Sequence, residues 1–169
     1  PMTVFSLYLQ SAFDLNDAQR IENFAKQFII KLDPQFTESM QTYVNFLISF
    51  LNRNYDEALS YISLVDIPYK IMKLVVRMYK AMCLYEINNY EMFLNEFDNL
   101  KHFNRNNEFI SEDFQNKLIR FYTYVDRLFI LRQTFDSKDL NRLKKDVDDF
   151  DKNKVWFNQK IEEMEKVKS

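Results

Sequence analysis

The 169 residues are 47% hydrophobic and 17% aromatic, with a formal net charge of −2. That is ample apolar material for a core, so disorder is not expected, and no global positive field draws in DNA or RNA. Glycine is absent altogether, which disfavours a hairpin-rich β fold and removes Walker loops, dinucleotide fingerprints and nucleophile elbows. No catalytic residue and no cofactor is therefore expected. The one cysteine, Cys83, cannot form an internal disulfide, which fits a reducing, cytoplasmic setting. Pro1–Phe5 has no basic region leading into a long apolar run, so no signal peptide is expected. No stretch approaches the ~18 apolar residues of a membrane span.

In chain order the pattern is helix after helix. A first short helix is expected around Thr3–Ala12. A second is capped at Asn16-Asp17 and runs to Leu32, with Ile21, Phe24, Ala25, Phe28, Ile29 and Leu32 at helical spacing. Asp33-Pro34, a capping Asx followed by proline, starts a third helix that runs to Leu51. Asn52-Arg53-Asn54 forms a turn before a fourth helix, Tyr55–Val65. Asp66-Ile67-Pro68 starts the fifth, which ends at Ile87. Asn88-Asn89 is the next turn, and the sixth runs from Tyr90 to Phe103. Asn104-Arg105-Asn106-Asn107 reads as an exposed loop. Ser111 caps a seventh helix ending at Gln133, and Ser137 caps an eighth, Lys138–Phe150. The ninth, Val155–Val167, puts Trp156, Phe157, Ile161 and Met164 on one face. The expected fold is a single all-α domain, 1–169, with hairpins near 34–66, 68–104 and 111–150 and a capping helix at 154–168.

One phrase recurs. Asn54-Tyr55-Asp56-Glu57-Ala58-Leu59 is echoed by Asn89-Tyr90-Glu91-Met92-Phe93-Leu94, 35 residues later. That period is close to the ~34 residues of a tetratricopeptide (TPR) repeat. Tyr55-Asp56-Glu57-Ala58 resembles the start of a TPR second helix, with small Ala58 at a close helix crossing. Ala81 fits the small position of a first helix, and Pro68 follows the first repeat's second helix. Leu84-Tyr85-Glu86-Ile87-Asn88-Asn89-Tyr90 is similar to stretches in uncharacterised bacterial TPR-like proteins. The resemblance covers roughly Pro34–Leu100. It implies antiparallel hairpins stacked as a short right-handed TPR-like solenoid, a protein-interaction scaffold without catalysis, and a groove lined by the first helix of each hairpin. The family's glycine is missing, and the register set by Tyr90 puts Arg77 and Lys80 where the family packs apolar groups. Either that register is off by a residue or the hairpin is not a standard one.

Chemistry-bearing clusters are few. His102, the only histidine, falls near a helix end, where a cation is favoured. Cys83 sits in an apolar helix as an inert thiol. With one His and one Cys, no thiolate or histidine metal site assembles within the chain. The run Asp146, Asp148, Asp149, Asp151 fails as a calcium loop, because lysines fall at the glycine and bidentate-acid positions. The cations are better ordered. Lys70, Lys73, Arg77 and Lys80 form a 3-4-3 stripe on the fifth helix, and Lys117, Arg120 and Arg127 lie along the seventh. Two readings fit: solvated ridges, or a basic groove that holds an acidic peptide through Lys73, Arg77, Lys80, Arg120 and Arg127. The functional expectation is a non-catalytic module for a protein or peptide partner, with neither nucleic acid, membrane nor metal involved. A homo-oligomer, a small-molecule or signal-peptide sensor, and a structural fragment of a longer chain stay open as alternatives.

Overall fold

The computed structural model describes residues 2–66, 70–105, 111–150 and 153–168. Among them are nine α-helices and no strand: α1 (Met2–Asp14), α2 (Ala18–Phe28), α3 (Pro34–Leu51), α4 (Tyr55–Leu64), α5 (Lys70–Glu86), α6 (Tyr90–Arg105), α7 (Glu112–Gln133), α8 (Ser137–Asp148) and α9 (Lys154–Lys168). The protein is all-α. The chain forms two compact units, residues 1–87 and 88–169. Their boundary falls in the Ile87-Asn88-Asn89 turn.

In the first unit each helix packs on the next, α1 through α5, and α1 also reaches α3. Local chemistry sets the ends. Asp17 accepts from the Arg20 backbone N–H and starts α2; Asp33 accepts from the Gln35 N–H, with Pro34 opening α3. The residue before a proline is barred from helical ψ, and Asp33 is extended (ψ 129°). Helix α2 ends at Phe28 and the chain tightens into a 3-10 turn over Ile29–Lys31, short of the Leu32 end that apolar spacing suggests. The core is a run of aromatic rings. Tyr79 stands 5.0 Å from Phe46, 5.2 Å from Phe13 and 6.3 Å from Tyr43, and donates a 2.6 Å hydrogen bond to Gln10 Oε1. Burial raises the Tyr43 and Tyr79 phenols and the Cys83 thiol well above their ordinary values, so all three are held neutral.

The turns explain how a chain without glycine closes its hairpins. Asn16, Arg53 and Asn88 all adopt positive φ, at 57°, 62° and 58°. Asn16 N–H bonds the Phe13 carbonyl and Asp17 N–H reaches Ala12; Arg53 N–H bonds Phe50 and Asn54 N–H reaches Ser49. These are two copies of one helix-ending motif, with Asn or Arg in the left-handed position that glycine usually fills. The residue after each also opens the next helix. Asp17 caps α2 by its side chain; Asn54 precedes α4 without a side-chain cap bond; Asn89 Oδ1 accepts from the Met92 N–H at the start of α6. So α1 and α2 form a helix pair joined like α3 and α4, a pairing that the sequence reading, starting its hairpins at residue 34, did not make.

In the second unit α6 packs on α7, α7 on α8 and α9, and α8 on α9. Phe93 links Tyr90, Phe97, Tyr122 and Phe129 in one aromatic cluster, and Phe157 gathers Phe121, Tyr124, Phe150 and Trp156 in another. Ser111 caps α7 as expected, accepting from Phe114 N–H. The cap of α8 is Asp136 rather than Ser137: its carboxylate accepts from the Lys138 and Asp139 N–H groups, which makes Ser137 the first helical residue. That helix closes at Asp148, and buried Phe150 lies beyond it. Helix α6 runs through Asn104 and Arg105, where a loop was expected. The Ile67-Pro68 part of the α5 start, the remainder of that loop at Asn106-Asn107, and Asp151 lie outside the described residues.

Candidate functional site

On α5 the cation stripe is graded by exposure. Lys73 is half-exposed, its side chain 51% accessible, with Nζ 3.9 Å from an Asp66 oxygen, a loose contact in water. Arg77 and Lys80 are half-buried and hold interactions within the chain. Beyond them the helix is buried on all sides through Met82, Cys83, Leu84 and Tyr85. The Lys70 side chain lies outside what the structure describes. Of the stripe's described cations, Lys73 is therefore the one that meets water most.

On α7 the three cations do different things. Lys117 pairs with Asp113 one turn away at 2.8 Å. Arg120 is exposed. Its Nε and Nη2 donate to Tyr124 Oη at 3.3 and 3.0 Å, and its guanidinium lies 5.9 Å from the Tyr124 ring and 5.6 Å from the Phe150 ring. The hydrogen bond to Tyr124 raises its already high pKa, and no carboxylate is within ion-pair distance among the described residues. Arg127 differs. Only 20% of its side chain is accessible; Nη1 meets Asp146 Oδ2 at 2.6 Å and Nη2 meets Asp139 Oδ1 at 2.8 Å and the Asp139 carbonyl at 3.2 Å. Its fork is filled by two carboxylates of α8, a bidentate arrangement that fixes α7 against α8. Arg127, a candidate groove residue in the sequence, ties α7 to α8 here, with Nη1 and Nη2 engaged by Asp146 and Asp139.

The remaining candidates sit as follows. His102 is exposed on α6, and Cys83 is a buried free thiol on α5. Asp146 belongs to the Arg127 tie, while Asp148 receives Lys154 at 3.2 Å, so the acidic run serves helix-end contacts. Among the described residues no three His, Cys, Asp or Glu side chains come close enough to hold a metal ion, and no helix is long and apolar enough to cross a membrane. Lys160, which sequence reasoning missed, is almost wholly buried on α9 with Nζ 2.9 Å from Glu163 Oε2. Its position between Trp156, Phe157 and Ile161 and the acidic Glu163 is the signal that could have found it.

An open depression of about 550 Å³ lies on the first unit between α1 and α2, floored by Tyr8, Phe24 and Phe28. The sequence pointed to neither its aromatic stack nor its polar rim. No family model, no curated protein and no solved structure matches this chain.

Proposed function

We propose that the chain is a TPR-like helical-repeat module that holds an acidic segment of a protein partner and catalyses nothing, in a cytoplasmic setting. The observation that carries this reading is the recurring turn: positive-φ Asn16, Arg53 and Asn88 each end one helix, and the residue after each stands at the start of the next, with α1–α2 and α3–α4 packed as pairs. Repetition of one helix-pair unit is the mark of proteins whose product is surface, because each unit adds area and no new chemistry. Each unit is read by itself: the candidate contact cations are Lys73, with Arg77 and Lys80 continuing the α5 stripe, in the first, and Arg120 in the second. Arg127 is not among them.

The test is affinity capture from the native lysate with wild type, with Lys73→Glu/Arg77→Glu/Lys80→Glu, and with Arg120→Glu, beside thermal melts. A partner bound by wild type and weakened about tenfold or more by a variant that keeps its melting temperature supports the reading. A partner held equally by all three proteins sinks the charge-based site. Loss of folding in the triple variant means that the stripe pairs internally.

A further inference from the structure

Helix α8 sorts its charges by direction. Leu140, Leu143 and Val147 make its buried face. Asp139 and Asp146 turn towards α7, where both meet Arg127. On the other flank Lys144 meets Glu165 of α9 at 2.9 Å, and that hydrogen bond, with the charges of Glu165 and Glu162, raises its pKa; Asp148 meets Lys154 at 3.2 Å. The face left to water carries Lys138, Asn141, Arg142 and Lys145, all exposed. Spacings of four and three put the three cations on one stripe. At ~1.5 Å rise per residue the stripe is about 10 Å long.

None of the three meets a carboxylate at ion-pair distance among the described residues. Lys26, Lys101 and Lys117, by contrast, each pair about one turn away, with Glu22, Asp98 and Asp113. Sequence spacing explains the difference. The positions three and four residues from each α8 cation hold another of the three, a neutral side chain, or an acid engaged elsewhere: Asp139 and Asp146 with Arg127, Asp148 with Lys154. Asp136 is used in capping the helix. Asp149, exposed just beyond the last turn, is the one acid in reach without a contact partner among the described residues, and its charge acts on Arg120. Three charges against one leave this face positive. The arrangement also works against the helix. Like charges at i, i+4 repel, and Lys138 stands in the first turn, where the helix dipole disfavours a cation. Local conflict with no compensation inside the fold is the pattern of a functional surface.

We infer that the outward face of α8 seats an acidic segment of a protein partner, whose carboxylates meet Lys138, Arg142 and Lys145, with one of them in the bidentate fork of Arg142. The inference rests on the reading of the chain as a holder of acidic segments and adds a seat in the second unit, apart from the α5 stripe. The face itself selects among anions. Its four exposed residues include no apolar side chain to enter a lipid surface and no ring to stack a base. An anionic occupant removes the repulsion along the stripe, so complementarity of charge is what the face offers.

The probes are a labelled peptide of about eight residues in which glutamate alternates with serine, the same peptide with glutamine for glutamate, and a single-stranded oligothymidylate of similar length. Each is titrated into the full chain by fluorescence anisotropy at low salt. The glutamate peptide is expected to bind at least tenfold tighter than the glutamine peptide, and to weaken as salt rises. Arg142→Glu and, separately, Lys138→Glu should each reduce that binding about tenfold or more, while Lys73→Glu/Arg77→Glu/Lys80→Glu should retain it. Lys138→Glu should at the same time keep or raise the melting temperature, because an acid in the first turn suits the dipole and faces Arg142 one turn on. Arg142→Gln takes the place of Arg142→Glu should that variant fail to fold. Equal binding of the two peptides, binding of neither, or binding indifferent to the α8 variants overturns this seat. A lower melting temperature in Lys138→Glu overturns it too, because the stripe then serves the fold. If the α5 variant alone loses the peptide, the module reading survives and this seat does not. Tighter binding of the oligothymidylate than of the glutamate peptide assigns the stripe to nucleic-acid phosphates and overturns the inference as well.

Discussion

The two units hold polar groups inside in opposite ways. In the first, Tyr79 and Gln10 meet as neutral partners in a shell of rings, and burial keeps Tyr43, Tyr79 and Cys83 uncharged. In the second, full charges cross between helices: largely buried Arg127 bridges Asp139 and Asp146, and at the surface Lys144 reaches Glu165 at 2.9 Å. A neutral network responds to high pH and little to salt, whereas ion ties respond to salt in proportion to their exposure. Two chemistries thus fasten similar helix pairs within one chain.

The comparison begins from what the units share. Phe46→Ala in the first and Phe129→Ala in the second each remove a buried ring and should cost about 3–5 kcal/mol by denaturant unfolding. A large disparity between them would mean that one aromatic core relaxes where the other does not. The next effect belongs to the second unit. Arg127→Ala leaves two carboxylates facing each other and should cost about 1–2 kcal/mol, a value reduced by the partial exposure of the group. Hydrogen exchange should place the loss in α7 and α8. In high salt the wild-type advantage should shrink, and an unchanged gap would assign Arg127 a packing role instead.

For the first unit the lever is alkali. The raised values of Tyr43, Tyr79 and Cys83 mean that the unfolded chain gives up these protons first. Their contribution is complete below the ordinary thiol and phenol values and is lost as pH rises above them, through about pH 8.5 for cysteine and about pH 10 for tyrosine. Phenolate absorbance should show late-titrating tyrosines whose ionisation coincides with unfolding. Tyr79→Phe should cost about 1 kcal/mol at neutral pH and flatten the alkaline decline. Early, reversible titration of every tyrosine would contradict the buried network. The smallest effect lies at the turns. Arg53→Gly relieves a left-handed residue that has a Cβ and should stabilise by roughly 0.5–1 kcal/mol, while Asn16→Gly should change less because asparagine tolerates that region. Equal responses would show that the Arg53 side chain offsets its own strain.

Helix starts were legible where a side chain announces them. Asp33-Pro34, Tyr90 and Ser111 stand where local chemistry puts them, because a cap acts within three residues; Tyr55 also opens its helix, without a side-chain cap bond from Asn54. Ends were harder. Apolar spacing carried α2 to Leu32, yet Ile29–Lys31 keep that spacing while tightening into a 3-10 turn, and Asp136 outcompeted Ser137 because its carboxylate reaches two N–H groups. The first hairpin was hidden in a different way. Phe13-x-x-Asn16-Asp17 matches Phe50-x-x-Arg53-Asn54 and Tyr85-x-x-Asn88-Asn89, but the echo lies in backbone geometry that Asn and Arg share only in this conformation. The cations were visible as a pattern on α5 and α7, while their occupancy was not. Arg127 meets acids 12 and 19 residues away, a pairing that the fold decides and no helical spacing discloses.

The lone thiol has a further use. Cys83 is the only cysteine and sits fully enclosed in α5, in the core of the first unit. A thiol-directed label can reach it only when the helices around it separate. Its rate of modification in the unaltered protein is thus a clock for the opening of that unit, needing no engineered reporter.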